Sequence, residues 1–143
     1  MVRQKFEEAV LTHFKDTITA HGFQVRYSPD SFLGDLQLVN HKCIVRFLYD
    51  NPYVLCDFTD PVEKAEREKM IRPDGFPPGF PRYPVFSLWK FLYPGDEFTY
   101  EKKPGDIDQQ VRNIRDLIHE RFTNVLNGDF SWTARYKTRG TSS

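Results

Sequence analysis

Between Phe23 and Thr59 the chain alternates apolar and polar side chains through four segments, 23–28, 31–39, 42–50 and 53–59. Pro29-Asp30, Asn40-His41 and Asn51-Pro52 separate them, and all three dipeptides favour turns. A period of two punctuated by turn formers predicts an antiparallel meander of four strands. If each dipeptide is a two-residue loop, the register follows, and with it the sorting of side chains into two faces. One face is apolar. It gathers Phe23, Val25, Tyr27, Phe32, Gly34, Leu36, Leu38, Cys43, Val45, Phe47, Tyr49, Val54, Cys56 and Phe58. The other is mixed, with Leu33, Ile44, Leu48, Tyr53 and Leu55 around Asp35, Arg46 and Asp57. The third turn carries a proline, which cannot supply the positive φ that two-residue hairpin turns favour.

A sheet with one apolar face needs a layer to cover it. Two amphipathic stretches can supply that layer. In residues 2–21, Val2, Phe6, Val10, Phe14, Thr17 and Ile18 recur at three- and four-residue steps, and Gly22 follows as a left-handed stop. In residues 106–127, Asp106 is a cap with Gln109 at the reciprocal position, and Ile107, Val111, Ile114, Leu117, Ile118, Phe122, Val125 and Leu126 form one stripe. Phe47 on the sheet and Ile118 on the second helix are the expected centre of the core. Asp60-Pro61 starts a short helix over 61–71. Residues 85–93 are apolar all round and read as a short helix, because Val85, Leu88, Trp89 and Leu92 share a side. Residues 130–137 alternate as a strand, although Asp129 could equally cap a third helix. The fold class expected is α+β, a four-stranded meander with two long helices on one face, in a single domain over 1–143 whose last residues, 138–143, fray.

Composition narrows the functions open to such a fold. The 143 residues carry 20 Lys and Arg against 20 Asp and Glu, so the formal net charge is zero. That removes the basic excess of a general nucleic-acid binder. No run approaches the roughly 20 apolar residues of a membrane helix, and residues 1–15 have no apolar signal core, so a cytoplasmic protein is expected. Two cysteines are too few for a disulfide scaffold or a four-cysteine zinc site. Under the register, Cys43 lies about 13 Å along the strands from Cys56, so both are expected as thiols. The four histidines are scattered, and no phosphate loop, dinucleotide fingerprint or nucleophile elbow occurs. No catalytic residue, metal ligand or cofactor is assigned, and a non-enzymatic role is favoured.

Two constellations remain. The register sets Arg46 opposite Asp35 on one neighbouring strand and Asp57 on the other. This triplet is either a charge ladder that fixes strand pairing or the polar centre of a binding face. The stretch from Pro73 to Pro84 holds five prolines and the aromatic residues Phe76, Phe80 and Tyr83, which either fold back over the mixed face or stand exposed as a contact patch. The candidate partner-binding residues are thus Asp35, Arg46, Tyr53, Asp57, Phe76, Phe80 and Tyr83.

The first helix ending in His-Gly-Phe, the meander, the Phe-Ser-Leu-Trp segment and the last helix ending in Leu-Asn-Gly-Asp-Phe-Ser resemble, in layout, small uncharacterised bacterial α+β proteins of the polymorphic-toxin immunity type. The resemblance implies a small protein that binds another protein, for example by occluding a toxin's active site. It implies no functional residue. The rival expectation is a small-ligand binder or enzyme with a pocket between the sheet and the Pro-rich loop; a deep pocket with convergent polar groups would favour it.

Overall fold

The computed structural model describes residues 2–29, 31–70, 72–75, 79–97 and 105–139. Their elements run α1 (Val2–His13), α2 (Lys15–His21), β1 (Gln24–Tyr27), β2 (Asp35–Val39), β3 (Ile44–Asp50), β4 (Tyr53–Thr59), α3 (Pro61–Glu68), β5 (Tyr83–Pro84), α4 (Val85–Leu92), α5 (Ile107–Arg121), α6 (Thr123–Leu126) and α7 (Thr133–Thr138). The sheet is antiparallel and open, in the order β1-β2-β3-β4-β5. The architecture is α+β, and the meander gains a two-residue fifth strand that the Pro-rich stretch concealed.

The first expected helix is divided at Phe14, yet its hydrogen-bond ladder passes through: Phe14 donates to Val10 at 2.9 Å and Ile18 to Phe14 at 2.8 Å. The last is divided at Phe122 in the same way, with Phe122 donating to Ile118 at 2.8 Å and Leu126 to Phe122 at 3.1 Å. Gly22 ends α2 at φ 63°, in the left-handed region that favours glycine. Asp106 accepts the Gln109 amide at 2.8 Å, but the Gln109 side chain turns forward to Asn113, so only half of the capping box forms.

Register is right in one hairpin and displaced in two. Arg46 faces Asp57 across β3 and β4, as the Asn51-Pro52 loop requires, and that X-Pro peptide is cis. In the second hairpin Asp35 stands opposite Leu48 rather than Arg46, two residues along. Asn40 is not inside this turn; it begins it, its side-chain oxygen accepting the amides of Lys42 and Cys43 at 2.8 Å each. In the first hairpin Tyr27 stands opposite Leu36 rather than Phe32, four residues along. The longer loop is fastened from outside, by the Arg3 guanidinium donating to the carbonyls of Ser31 and Ser28 at 2.7 and 3.2 Å.

Both displacements are even numbers of residues, so every side chain within the strands keeps its expected face. Leu36, Leu38, Cys43, Val45, Phe47, Tyr49, Val54, Cys56 and Phe58 are buried in one cluster with Phe6, Val10, Phe14, Val111, Ile114, Ile118 and Phe122 of the helices. Phe47 and Ile118 are fully buried at its centre. Three members of the expected apolar face are not: Val25 is half-buried against the cluster, Tyr27 is 47 % exposed, at the end of β1, and Phe32 is 90 % exposed, in the longer loop. Cys43 and Cys56 are buried thiols with no disulfide.

Residues 133–138 are helical, so the strand reading of 130–137 is corrected. Trp132 and Tyr136, four residues apart, both bury against Tyr83, and four-residue spacing serves a helix where alternation would serve a strand. Asp129 opens this segment, accepting the Ser131 amide at 3.0 Å and its hydroxyl at 2.6 Å. The short helix over 85–93 forms as α4, and that over 61–71 ends at Glu68. Among the described residues no helix is long and apolar enough to cross a membrane.

Candidate functional site

The helices other than α3 pack apolar side chains into the single cluster on one side of the sheet. The other side alternates with it along every strand and remains half-buried or exposed from Asp35 to Val39, Arg46 to Asp50 and Tyr53 to Asp57. Register arranges this open face in rows. Arg26, Gln37, Arg46, Asp57 and Pro84 form one row across all five strands. Asp35, Leu48 and Leu55 form the next, and Asp50 and Tyr53 the one beyond. Tyr53 is 51 % exposed and Leu55 42 %. Ile44 is instead buried beside Thr59 at the far end, and Leu33 packs against the core, so neither rims the face.

Arg46 contacts both acids, unequally. It reaches diagonally to Asp35 with Nε and Nη2, at 3.1 and 2.9 Å, a two-pronged pairing that fixes both side chains. That geometry leaves Asp57, directly opposite, with its Oδ2 4.0 Å from Arg46 Nη1. The other oxygen, Asp57 Oδ1, is buried and accepts no hydrogen bond from any described residue. A buried acceptor without a donor is costly, more so when charged. Burial pushes the Asp57 carboxyl up from its ordinary 3.8 to about 6, against the pull of Arg46 and Arg82 and with a further push from Asp35. Arg46, held by the Asp35 hydrogen bond, is shifted up as well.

A carboxyl raised on folding holds a proton that the unfolded chain releases, so its contribution to stability falls as pH rises from about 4 to about 6. Asp57→Asn is therefore expected to become steadily more stable relative to wild type across that window. Urea midpoints of the two proteins at about pH 4 and about pH 7 read it. A difference independent of pH would show that the carboxyl is not displaced.

Of the Pro-rich aromatic residues, Phe76 lies outside the described residues. Tyr83 is no part of an exposed patch. It is 2 % exposed, packed against Phe130, Trp132 and Tyr136, and its hydroxyl donates to Glu63 at 2.6 Å. It alternates with Pro84, and as Tyr83 faces Phe58 in the core, Pro84 faces Asp57 on the open side. Phe80 is half-buried between two cations, Lys64 at 5.3 Å and Arg82 at 4.6 Å from its ring centre. The aromatic segment thus braces the sheet edge, and its approach to the triplet is through Arg82 and Pro84. Gln37 and Arg26 belong to the same row and were not legible, because the displaced hairpins change which residues are neighbours, while Arg82 acts on Asp57 from outside the row.

Two surface hollows are not lined by Arg46, Asp35 or Asp57, although the second touches the β1 end of the open face. One, of about 270 Å³, is lined by Trp89, Asp96, Glu97, Leu117, Glu120 and Arg121. Another, of about 320 Å³, is lined by Gly22, Gln24, Arg26, Val39, Asn40 and His41. Neither lies between the sheet and the Pro-rich loop. Among the described residues no three His, Cys, Asp or Glu gather as metal ligands would. No family model, no curated protein and no solved structure matches the chain.

Proposed function

We propose that this is a non-catalytic binding protein whose partner is another protein, docked on the open face of the sheet. The observation that carries the reading is the exposure of Tyr53 and Leu55 beside the charged cluster of Arg46, Asp35 and Asp57 on the same face. Apolar partner surface laid on Leu55 and Tyr53 removes both from water. Neither described hollow is lined by Arg46, Asp57, Tyr53 or Leu55, and small-ligand sites are concave, which supports a protein rather than a small molecule on these residues. Arg46, clamped by Asp35, presents a fixed cation on this face, and such fixed charge patterns select partners. The layout resemblance supplies the specific form of the reading, neutralisation of a bacterial toxin by covering its active site.

The test is affinity capture from the native host with wild type, Arg46→Met, Leu55→Glu and Phe86→Glu, each checked by thermal melting. Phe86 is exposed on α4, outside the sheet, and serves as the control. A protein recovered equally by wild type and Phe86→Glu, and at least about tenfold less by the other two, is the expected result, equivalent to about 1.4 kcal/mol or more of binding. Equal recovery of every protein by all four baits would overturn the reading.

A further inference from the structure

The two edges of the sheet are finished differently. At β4, Asp57 and Phe58 pair with Pro84 and Tyr83 of β5. A further amide on that edge, Val54, donates to the Gln110 side chain at 2.9 Å. Gln110 is held in place by its own amide group, which donates to the carbonyls of Pro52 and Gly105, each at 2.9 Å. Covering edge groups in this way is how proteins block unwanted strand addition.

At β1 the phase of the ladder is set by the Ser28 amide, which donates to the Asp35 carbonyl at 3.0 Å. Hydrogen-bonded pairs alternate along an antiparallel ladder, so Gln24 and Arg26 turn their backbone groups to β2 while Val25 and Tyr27 turn theirs outward. Among the described residues no side chain or loop amide takes up those outward groups. Tyr27 on this strand and Phe32 in the loop that follows both expose apolar surface. On the open face the same edge borders the 320 Å³ hollow, whose lining includes Arg26 and His41 and no acidic side chain.

We infer that the β1 edge accepts an extended segment of a partner protein as an added strand, in which apolar residues alternate with acidic ones. The outward groups of Val25 and Tyr27 supply the backbone hydrogen bonds. Alternate side chains of an added strand point to opposite faces, so the apolar ones fall on the side of Val25 and Tyr27, and the acidic ones fall beside Arg26 over the hollow. A second copy of β1 fits less well. The pairing that satisfies Val25 with Tyr27 of the other copy sets Arg26 against Arg26, and like charges directly opposite destabilise a strand pair. This edge is independent of Asp57 and Leu55, so the inference does not rest on the reading of the open face.

The probes are two blocked heptapeptides, one alternating valine with glutamate and one alternating valine with lysine, titrated into the full chain while backbone amide resonances are followed. The glutamate peptide is expected to move the Val25 and Tyr27 amides saturably, with at least about tenfold higher affinity than the lysine peptide. Val25→Pro removes an outward N–H without breaking the ladder to β2, and edge strands tolerate proline there. It should weaken the glutamate peptide by at least about tenfold. Arg26→Glu leaves the backbone unaltered and should reverse the preference between the peptides. The absence of saturable shifts with either peptide, an unchanged preference in Arg26→Glu, or a concentration-dependent dimer that Val25→Pro abolishes would each overturn the assignment, the last giving the edge to a second copy.

Discussion

Phe47→Ala is expected to destabilise the protein by about 3–5 kcal/mol, the range for truncating a fully buried phenylalanine. Phe47 is 0 % exposed at the middle of β3, between Leu36 on β2 and Cys56 on β4. The edge of its ring meets Phe14 from the first helix, with centres 4.8 Å apart. Removing it opens a cavity where sheet and helix layer join, and the large neighbours on all sides restrict collapse. Domains of ordinary stability keep only about 5–15 kcal/mol in total, so the variant should unfold at a much lower urea midpoint, with the slope unchanged. A loss below about 1 kcal/mol would mean that Phe47 does not occupy this core.

Gly34→Ala is expected to have a comparable effect through a different cause. Gly34 sits at φ +131°, where side-chain-bearing residues are strained by about 1–3 kcal/mol. A Cβ there would also lie 2.4 Å from Cδ1 of Phe6 and 2.9 Å from its Cε1. The Phe6 ring is fully buried, so it cannot swing away without disturbing α1, and such overpacking costs a further ~1–3 kcal/mol. The two causes separate in a double-mutant cycle. In a Phe6→Ala background the steric part vanishes and the backbone part persists, so Gly34→Ala should cost less there by about 1 kcal/mol or more. Strictly additive losses would show that the approach of Gly34 to Phe6 is not the constraint.

Gly34 also marks where sequence and structure part company. Alternation in residues 23–59 determines which face each side chain takes, because exchanging faces would put Leu36, Phe47 and Cys56 in water. It constrains register only to within an even number of residues, and the turns decide the rest. Asn51-Pro52 closes the two-residue loop expected of it, and Arg46 meets Asp57. Asn40 instead begins its turn, since its side chain is a better acceptor for the Lys42 and Cys43 amides than an occupant of the loop. The first loop is set by Arg3, some 25 residues upstream, and no local pattern announces that contact. The contact of Arg46 with Asp35 survives the displacement because a long guanidinium reaches the diagonal neighbour as readily as the direct one. The inequality between the two acids was not legible. It follows from the diagonal geometry, which commits Arg46 to Asp35 and leaves Asp57 short of a donor. Tyr83 misled for a related reason: a proline-rich setting resembles a surface loop, but its neighbours Phe130, Trp132 and Tyr136 come from a distant segment.

The central claim is that the open sheet face, not the helical side, meets the partner. Photo-crosslinking addresses it most directly, with benzoylphenylalanine placed at Leu55 on the open face or at Phe86 on α4 and the cells of the native host irradiated. The account predicts one discrete protein adduct from position 55 that Arg46→Met suppresses, and none from position 86. An adduct from position 86 with none from position 55 would contradict it.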